Sequence, residues 1–242
     1  MDEQGNYLRL SGIINQSPTY GHEVFGEKFY YATLSVPRLS GAEDLLPITL
    51  SERLMEGIPL DIGMPLTLEG QLRSYNKVIE GAGRLLITAF AQRILPPDGE
   101  ENPNQVQLQG ALCKLPSYRT TPFGREIADL MLAVNRAFGK SDYIPCIAWG
   151  RNAQFASRFH VGDRLRVTGR LQSREYQKLQ SNGEYITRSA FEVSCFTLEA
   201  ESAAPLAAPV PPAEAPLLSP EELHRPARGE AQEEAIPQNI ES

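Results

Sequence analysis

Tyr143-Ile144-Pro145-Cys146-Ile147-Ala148-Trp149-Gly150 and, a short segment later, Gly162-Asp163-Arg164-Leu165-Arg166-Val167-Thr168-Gly169-Arg170-Leu171-Gln172-Ser173-Arg174-Glu175-Tyr176 decide the fold. Both runs carry the period-2 alternation of strands. In the second, Leu165, Val167, Gly169 and Leu171 are apolar or small, whereas Arg164, Arg166, Thr168, Arg170, Gln172, Arg174 and Tyr176 are polar, cationic or aromatic. Side chains at i and i+2 share a face of a strand. One face therefore reads as core and the other as a row of guanidinium groups ending in a tyrosine. Tyr143 and Trp149, six residues apart, fall on one face of the first strand. Cations beside solvent-facing rings form a stacking platform for unpaired bases. An antiparallel sheet with a solvated basic face is the alternative.

The same pattern occurs twice. At an offset of 98, Leu10-Ser11-Gly12 lies over Leu108-Gln109-Gly110, Pro18 and Tyr20 over Pro116 and Tyr118, and Phe25-Gly26 over Phe123-Gly124. Val36 and Arg38 lie over Val134 and Arg136, and Asp44 and Pro47 over Asp142 and Pro145. One inserted residue shifts the offset to 99, where Leu66, Leu68, Gly70, Leu72 and Ser74 meet Leu165, Val167, Gly169, Leu171 and Ser173. Self-similarity that holds one offset through such varied residues marks two copies of one domain.

In the first copy the alternation predicts strands near 7–14, 28–36, 45–50, 64–74 and 84–94, with a short helix at 51–55 capped by Ser51. In the second it predicts strands near 105–113, 126–135, 143–149, 163–176 and 185–198. A helix is expected at 152–158, with Phe155 and Phe159 one turn apart on its buried face and Gly162 as its stop. Five strands with one helix between the third and fourth is the order of the OB-fold, a small Greek-key barrel. Glycines in the Leu-x-Gly runs suit the sharp bends that closing such a barrel needs. The fold class is thus all-β: tandem OB-folds over residues 1–95 and 104–199, joined by a polar linker at 96–103. From residue 200 to 242 the composition turns to Pro, Ala and Glu, with eight of the chain's nineteen prolines. Such a segment buries too little apolar surface to offset its ordering entropy and reads as a disordered acidic tail.

Charge sharpens the division. The net charge of −7 is spread unevenly: −3 over 1–95, −3 over 96–103, +5 over 104–199 and −6 over 200–242. One basic module sits in an acidic chain, and this distribution is the electrostatic footprint. Cys113, Cys146 and Cys195 make no CxxC and sit in apolar segments, so buried thiols in a reducing cytosol are expected. The polar start Met1-Asp2-Glu3-Gln4 reads as no secretory signal, and no apolar run approaches a membrane span, so the expectation is cytoplasmic with no membrane partner. His22, His160 and His224 are the only histidines, and no metal-ligand spacing, phosphate loop or nucleophile–base motif occurs. The chain reads as neither an enzyme nor a cofactor protein.

Leu108-Gln109-Gly110, Tyr118-Arg119, Thr121-Pro122, Gly124, Leu132-Ala133-Val134-Asn135-Arg136, Ala148-Trp149-Gly150, Gly162-Asp163 and Val167-Thr168-Gly169-Arg170-Leu171-Gln172, in this order, resemble the bacterial single-stranded DNA-binding protein family. The resemblance covers 104–198 well and 7–95 more weakly. It implies base stacking on four aromatic positions, which fall on Phe138, Tyr143, Trp149 and Tyr176. The same positions in the first copy are Ser40, Leu45, Ser51 and Lys77, none aromatic. The copies have therefore diverged, and the second is expected to bind DNA while the first serves packing, although Phe29, Tyr30, Tyr31 and Tyr75 leave room for contact. Arg166, Arg170, Arg174, Arg136, Arg119, Lys140 and Arg151 are the candidate phosphate contacts. Trp149 beside Ile147 also reads as a core tryptophan, and Tyr143 and Tyr176 as ordinary cross-strand aromatics.

The resemblance further implies a particle of four OB-folds, which a two-copy chain reaches as a homodimer. It also implies an acidic tail that recruits replication and repair proteins; here that stretch carries Ile236 and Ile240 among Glu233, Glu234 and Glu241. The expected function is sequence-nonspecific binding and protection of single-stranded DNA in replication, recombination or repair. The alternative is an OB-fold adaptor of a primosome with weak nucleic-acid affinity.

Overall fold

The computed structural model describes residues 5–38, 40–79, 82–96, 102–136, 139–179 and 185–201. Phe138, most of the 96–103 linker and the tail beyond residue 201 lie outside them.

Among the described residues, eleven strands and two short helices follow in the order β1 (Asn6–Val24), β2 (Glu27–Pro37), β3 (Glu43–Ser51), α1 (Glu52–Met55), β4 (Pro65–Ile79), β5 (Ala82–Leu95), β6 (Asn104–Leu112), β7 (Ser117–Thr120), β8 (Glu126–Asn135), β9 (Ser141–Trp149), α2 (Arg151–Ala156), β10 (Arg164–Leu179) and β11 (Tyr185–Ala200). Strand β1 pairs with both β2 and β4, β2 with β3, β3 in parallel with β5, and β5 with β4. That circuit closes a five-stranded barrel. In the second half β6, β8, β9, β11 and β10 close the same circuit, with the same parallel pair between third and fifth strands of the barrel. The expected OB-folds are both present.

Leucine alternation fills the interiors: Leu8, Leu10, Leu34, Leu46, Leu68 and Leu72 in the first barrel are wholly buried, as are Leu132, Ile144, Leu165, Val167 and Leu171 in the second. Burying such a side chain stabilises by roughly 1.5–3 kcal/mol. Each barrel turns a corner where its fourth main strand meets a bulge in the fifth, Gln92 opposite the Glu69–Gly70 step and Phe196 opposite the Thr168–Gly169 step. There the strands approach so closely that a Cβ on Gly70 would sit 2.0 Å from the Phe90 carbonyl oxygen, and one on Gly169 2.2 Å from that of Ser194. The glycine of the Leu-x-Gly run is thus required by contact.

Three expectations need correction. The hairpin arms run farther than the alternation suggested, β1 reaching Val24 and β7 adding a short arm before β8, because their outer ends are exposed and carry no apolar period to read. Helix α2 begins at Arg151 and ends at Ala156, with Gly162 (φ +96°) in the later turn. Phe155 and Phe159 do pack against the core, edge to face at 4.9 Å. Ser51 precedes α1 but makes no side-chain capping bond. Cys146 and Cys195 are buried and Cys113 half-buried, all three as free thiols. No helix among the described residues is long and apolar enough to cross a membrane.

The barrels join through an antiparallel ladder between β1 and β6 in which Leu8 faces Val106, Tyr7 faces Gln107 and Arg9 faces Gln105. Residue 106 is the repeat counterpart of residue 8, so a pseudo-two-fold axis runs through that pair and exchanges the flanking ones. The barrels therefore meet as two subunits of a symmetric dimer would, with one patch facing its own copy.

Candidate nucleic-acid interface

Away from the core of the second barrel, β9 and β10 present Tyr143 (46% exposed), Trp149 (38%) and Tyr176 (40%). Their neighbours in sequence, Ile144, Ala148 and the more distant Leu171, are wholly buried, so the pleat turns the rings outward. Trp149 is not a core residue. It walls an open cleft of about 700 Å³ with Thr120, Gly124, Arg125, Glu126 and Gly150. The Arg174 guanidinium lies 5.9 Å from the Tyr176 ring centroid, a cation–π distance, and 3.6 Å from a Glu192 carboxylate.

The guanidinium row is less uniform than the alternation implied. Arg166 and Arg174 are exposed, with Glu201 3.8 Å from Arg166. Arg119 is exposed but donates to Asp129 at 2.9 Å. Lys140 and Arg151 lie at the surface, Lys140 in the turn before β9 and Arg151 at the start of α2. Arg170 and Arg136 are half-buried at the seam between the barrels. Arg170 Nη1 reaches the Asp44 carboxylate at 3.3 Å, and Arg136 Nε donates to Asp142 at 2.9 Å.

That seam was not anticipated. Asp44, on β3, is buried and accepts from Arg38 Nε (2.7 Å), from the backbone N–H of Ser173 (2.7 Å) and from the Ser173 hydroxyl (3.1 Å) across the barrel boundary. Asp142, on β9, is buried likewise and accepts from Arg136, from the backbone N–H of Ser74 (2.6 Å) and from Arg73 (3.2 Å). Asp44 and Asp142, Arg38 and Arg136, and Ser74 and Ser173 are repeat counterparts, so one lock is built twice about the pseudo-two-fold axis. Burial alone would push the Asp44 carboxyl upward, but the Arg38 guanidinium and the Ser173 donors outweigh it and hold it below its ordinary value. Burial and the like charges of Arg136 and Arg38, respectively, lower Arg73 and Arg170. The signal for the lock lay in the repeat itself: polar residues identical in both copies on otherwise diverged faces.

In the first barrel the positions aligned with the four aromatic sites are an exposed Ser40, an exposed Leu45, a buried Ser51 and an exposed Lys77. No cluster of three or more metal-ligating side chains occurs among the described residues.

Comparison with known proteins agrees with this geometry. Residues 103–196 match the Single-strand binding protein family. Single-stranded DNA-binding protein B of Bacillus subtilis is 35% identical over 91 residues, which cover 35% of this chain and 80% of that one. Single-stranded DNA-binding protein 1 of Staphylococcus aureus is 37% identical over 103 residues, 40% of this chain and 59% of that protein. Like several other relatives, the latter is thus spanned by the chain over only a little more than half its length. The wild-type single-stranded DNA-binding protein of Thermus aquaticus superposes with a TM-score of 0.62 at 27% identity, covering 84% of this chain and 96% of that one, so the likeness takes in both barrels. With a relative above 30% identity matched over four-fifths of its length, an ordered set of motifs and the barrel circuit all agreeing, this chain belongs to the single-strand binding protein family.

Proposed function

We propose that the chain binds single-stranded DNA, without sequence preference and without chemical turnover, and protects it during replication, recombination or repair. The observation that carries the reading is the outward presentation of Tyr143, Trp149 and Tyr176 beside Arg174. Base stacking on an aromatic side chain contributes about 1–3 kcal/mol per base and tolerates any base, because each has a π-face. Arg166 and Arg174, with Lys140, Arg151 and Phe138, complete the proposed contacts, whereas Arg136, Arg170 and Arg119 are drawn partly away by their carboxylates. In this reading the second barrel (104–199) carries the primary interface. A soluble, cytoplasmic homodimer would bring four barrels together, and the acidic tail would contact replication or repair proteins. Light scattering coupled to size exclusion tests the assembly: a particle of about twice the 26.8 kDa chain is expected.

Trp149 is the only tryptophan, so its emission reports one site. Saturating oligothymidine should quench much of it, and Trp149→Ala should weaken binding by roughly 1–3 kcal/mol. Emission unchanged at saturation would remove the stacking role.

A further inference from the structure

The first barrel has lost every aromatic side chain at the family's positions, yet its outer sheet face is not bare. Phe29 and Tyr31 on β2, Tyr75 on β4 and Phe90 on β5 gather there around His22 and Arg73. The His22 ring stacks on Phe29 (centroids 5.1 Å apart, planes 15° apart) and lies 5.8 Å from Tyr31. Phe29 and Phe90 are 5.6 Å apart, and the Arg73 guanidinium stands 5.7 Å over the Phe90 ring. The Tyr31 hydroxyl is 3.0 Å from His22 Nδ1. Burial first and the neighbouring Tyr31 second make the Tyr75 hydroxyl less acidic than usual. His22, Tyr31, Arg73, Tyr75 and Phe90 wall a cleft of about 470 Å³ that Arg136 also lines, and Phe29 packs on two of these rings. Clefts of about 300–1,000 Å³ are the size that holds small ligands.

The patch is independent of the repeat. Tyr31, Tyr75 and Phe90 correspond by register to Asp129, Arg174 and Ser194 in the second barrel, so it is not the second barrel's set of rings moved over. It is also supported from behind. The Tyr31 ring packs on Gly21, where a Cβ would fall 2.5 Å from it, so the hairpin arm gives up a side chain to seat that ring. Tyr31 (36%) and Tyr75 (40%) still expose as much surface as Trp149 and Tyr176 do.

Two further facts choose the occupant. Arg73 and Arg136 both converge on the single carboxylate of Asp142, which leaves one positive charge in excess at the cleft. And the cleft continues the interface on the second barrel: the backbone N–H of Tyr143 donates to the Ser74 hydroxyl at 2.7 Å, and Tyr75 is the next residue. The two barrels thus adjoin at this contact, between Tyr143 and the strand that carries Tyr75.

We infer that the cleft lined by His22, Tyr31, Arg73, Tyr75 and Phe90, with Phe29 packed on His22 and Phe90, is a second base-binding site, through which single-stranded DNA passes from the second barrel onto the first. The inference rests on the DNA-binding reading above and extends it to a barrel that has none of the family's stacking residues. Rings at the cleft mouth take a base, and the charge that Asp142 leaves uncompensated on the Arg73–Arg136 pair draws its phosphate.

Trp149 quenching, which reports the second barrel, tests it with two oligothymidines on the full chain: one of ~8 nucleotides, within the roughly 4–16 that an OB-fold accommodates, and one of ~35. Tyr75→Ala should weaken the long oligonucleotide by about 5- to 100-fold, the loss of one stacked base, and leave the short one unchanged; Tyr75→Phe should bind both as the parent does. Photocrosslinking of the unaltered chain to 5-iododeoxyuridine oligonucleotides gives a reading that no folding defect can disturb, with adducts expected on Tyr75 or Tyr31 as well as in the second barrel. Adducts confined to residues 104–199, or long-oligonucleotide affinity untouched by Tyr75→Ala, would overturn the second site and leave the first standing. Absence of any Trp149 quenching or adduct would remove both.

Discussion

Asp44→Asn is the sharpest perturbation of the seam between the barrels. Its carboxylate is buried and receives Arg38, Arg170, the Ser173 N–H and the Ser173 hydroxyl. The amide of Asn has nearly the same shape but one acceptor oxygen instead of two, and its NH2 would face guanidinium donors. Arg38 and Arg170 would then confront each other with no counter-ion. Removing one partner of a buried pair costs about 3–5 kcal/mol, and each hydrogen bond to a charged group contributes roughly 1.5–3. Both guanidiniums stay about a quarter exposed, so water recovers part of the loss. The expected cost is near the lower bound, about 3 kcal/mol. Urea unfolding followed by Trp149 emission measures it. The transition in the variant should move to lower urea with the slope unchanged if the barrels unfold together. A pH series adds a second reading. The folded carboxyl lies below its ordinary value of 3.8, so its contribution is complete above the unfolded pKa and fades as pH falls through the folded one. The gap between parent and variant should therefore be constant above about pH 5 and close below about pH 4. A cost under about 1 kcal/mol, the size of an exposed pair, or a gap independent of acid, would refute the lock.

Salt dependence separates the exposed arginines from those held in the seam. Log affinity for single strands falls by about 0.7 per neutralised phosphate for each unit of log salt. Arg174→Ala or Arg166→Ala should flatten that slope by up to about 0.7, and Arg170→Ala, whose guanidinium is held by Asp44, by clearly less; equal changes at all three would place Arg170 on the DNA path. Gly169→Ala places a Cβ 2.2 Å from a backbone oxygen and should abolish or severely lower folding yield in circular dichroism, whereas Gly83→Ala, with nothing within 4 Å of its Cβ, should fold as the parent does. A Gly169→Ala chain as stable as the Gly83→Ala one would show that the bulge does not need glycine.

The parts of the fold that repeat were readable, and the candidate site was half readable. Period-2 alternation located the core strands because leucine at every second position has one physical meaning, burial against the opposite wall. It failed at the outer hairpin arms, where both faces meet water and nothing enforces a period. The three ring positions Tyr143, Trp149 and Tyr176 were accessible through their register on strands whose other face is core. Arg170 and Arg136 were not, because alternation tells which side of a strand a residue leaves from but not what stands opposite. Arg170 meets the other barrel, whose Asp44 claims its charge, whereas Arg136 is held by Asp142 of its own barrel, which Arg73 and Ser74 of the other barrel also reach.

Duplication explains why the two halves diverged where they did. A barrel pair joined through β1 and β6 needs Asp44 with Ser173 and Asp142 with Ser74 at once, since each lock draws one partner from either copy. Substitution in one copy breaks a contact made by the other, so these residues stay alike. The outward rings carry no such mutual requirement. Each sheet face can change alone, and the two have: one presents Tyr143, Trp149 and Tyr176, the other Phe29, Tyr31, Tyr75 and Phe90 at unrelated positions. Identity between the copies at buried polar positions therefore marks the seam, and in the proposed function the faces that differ are the ones open to DNA. A lost aromatic at an aligned position is then weak grounds for calling a barrel silent; the rings on its outer face, wherever the register places them, are the quantity to count.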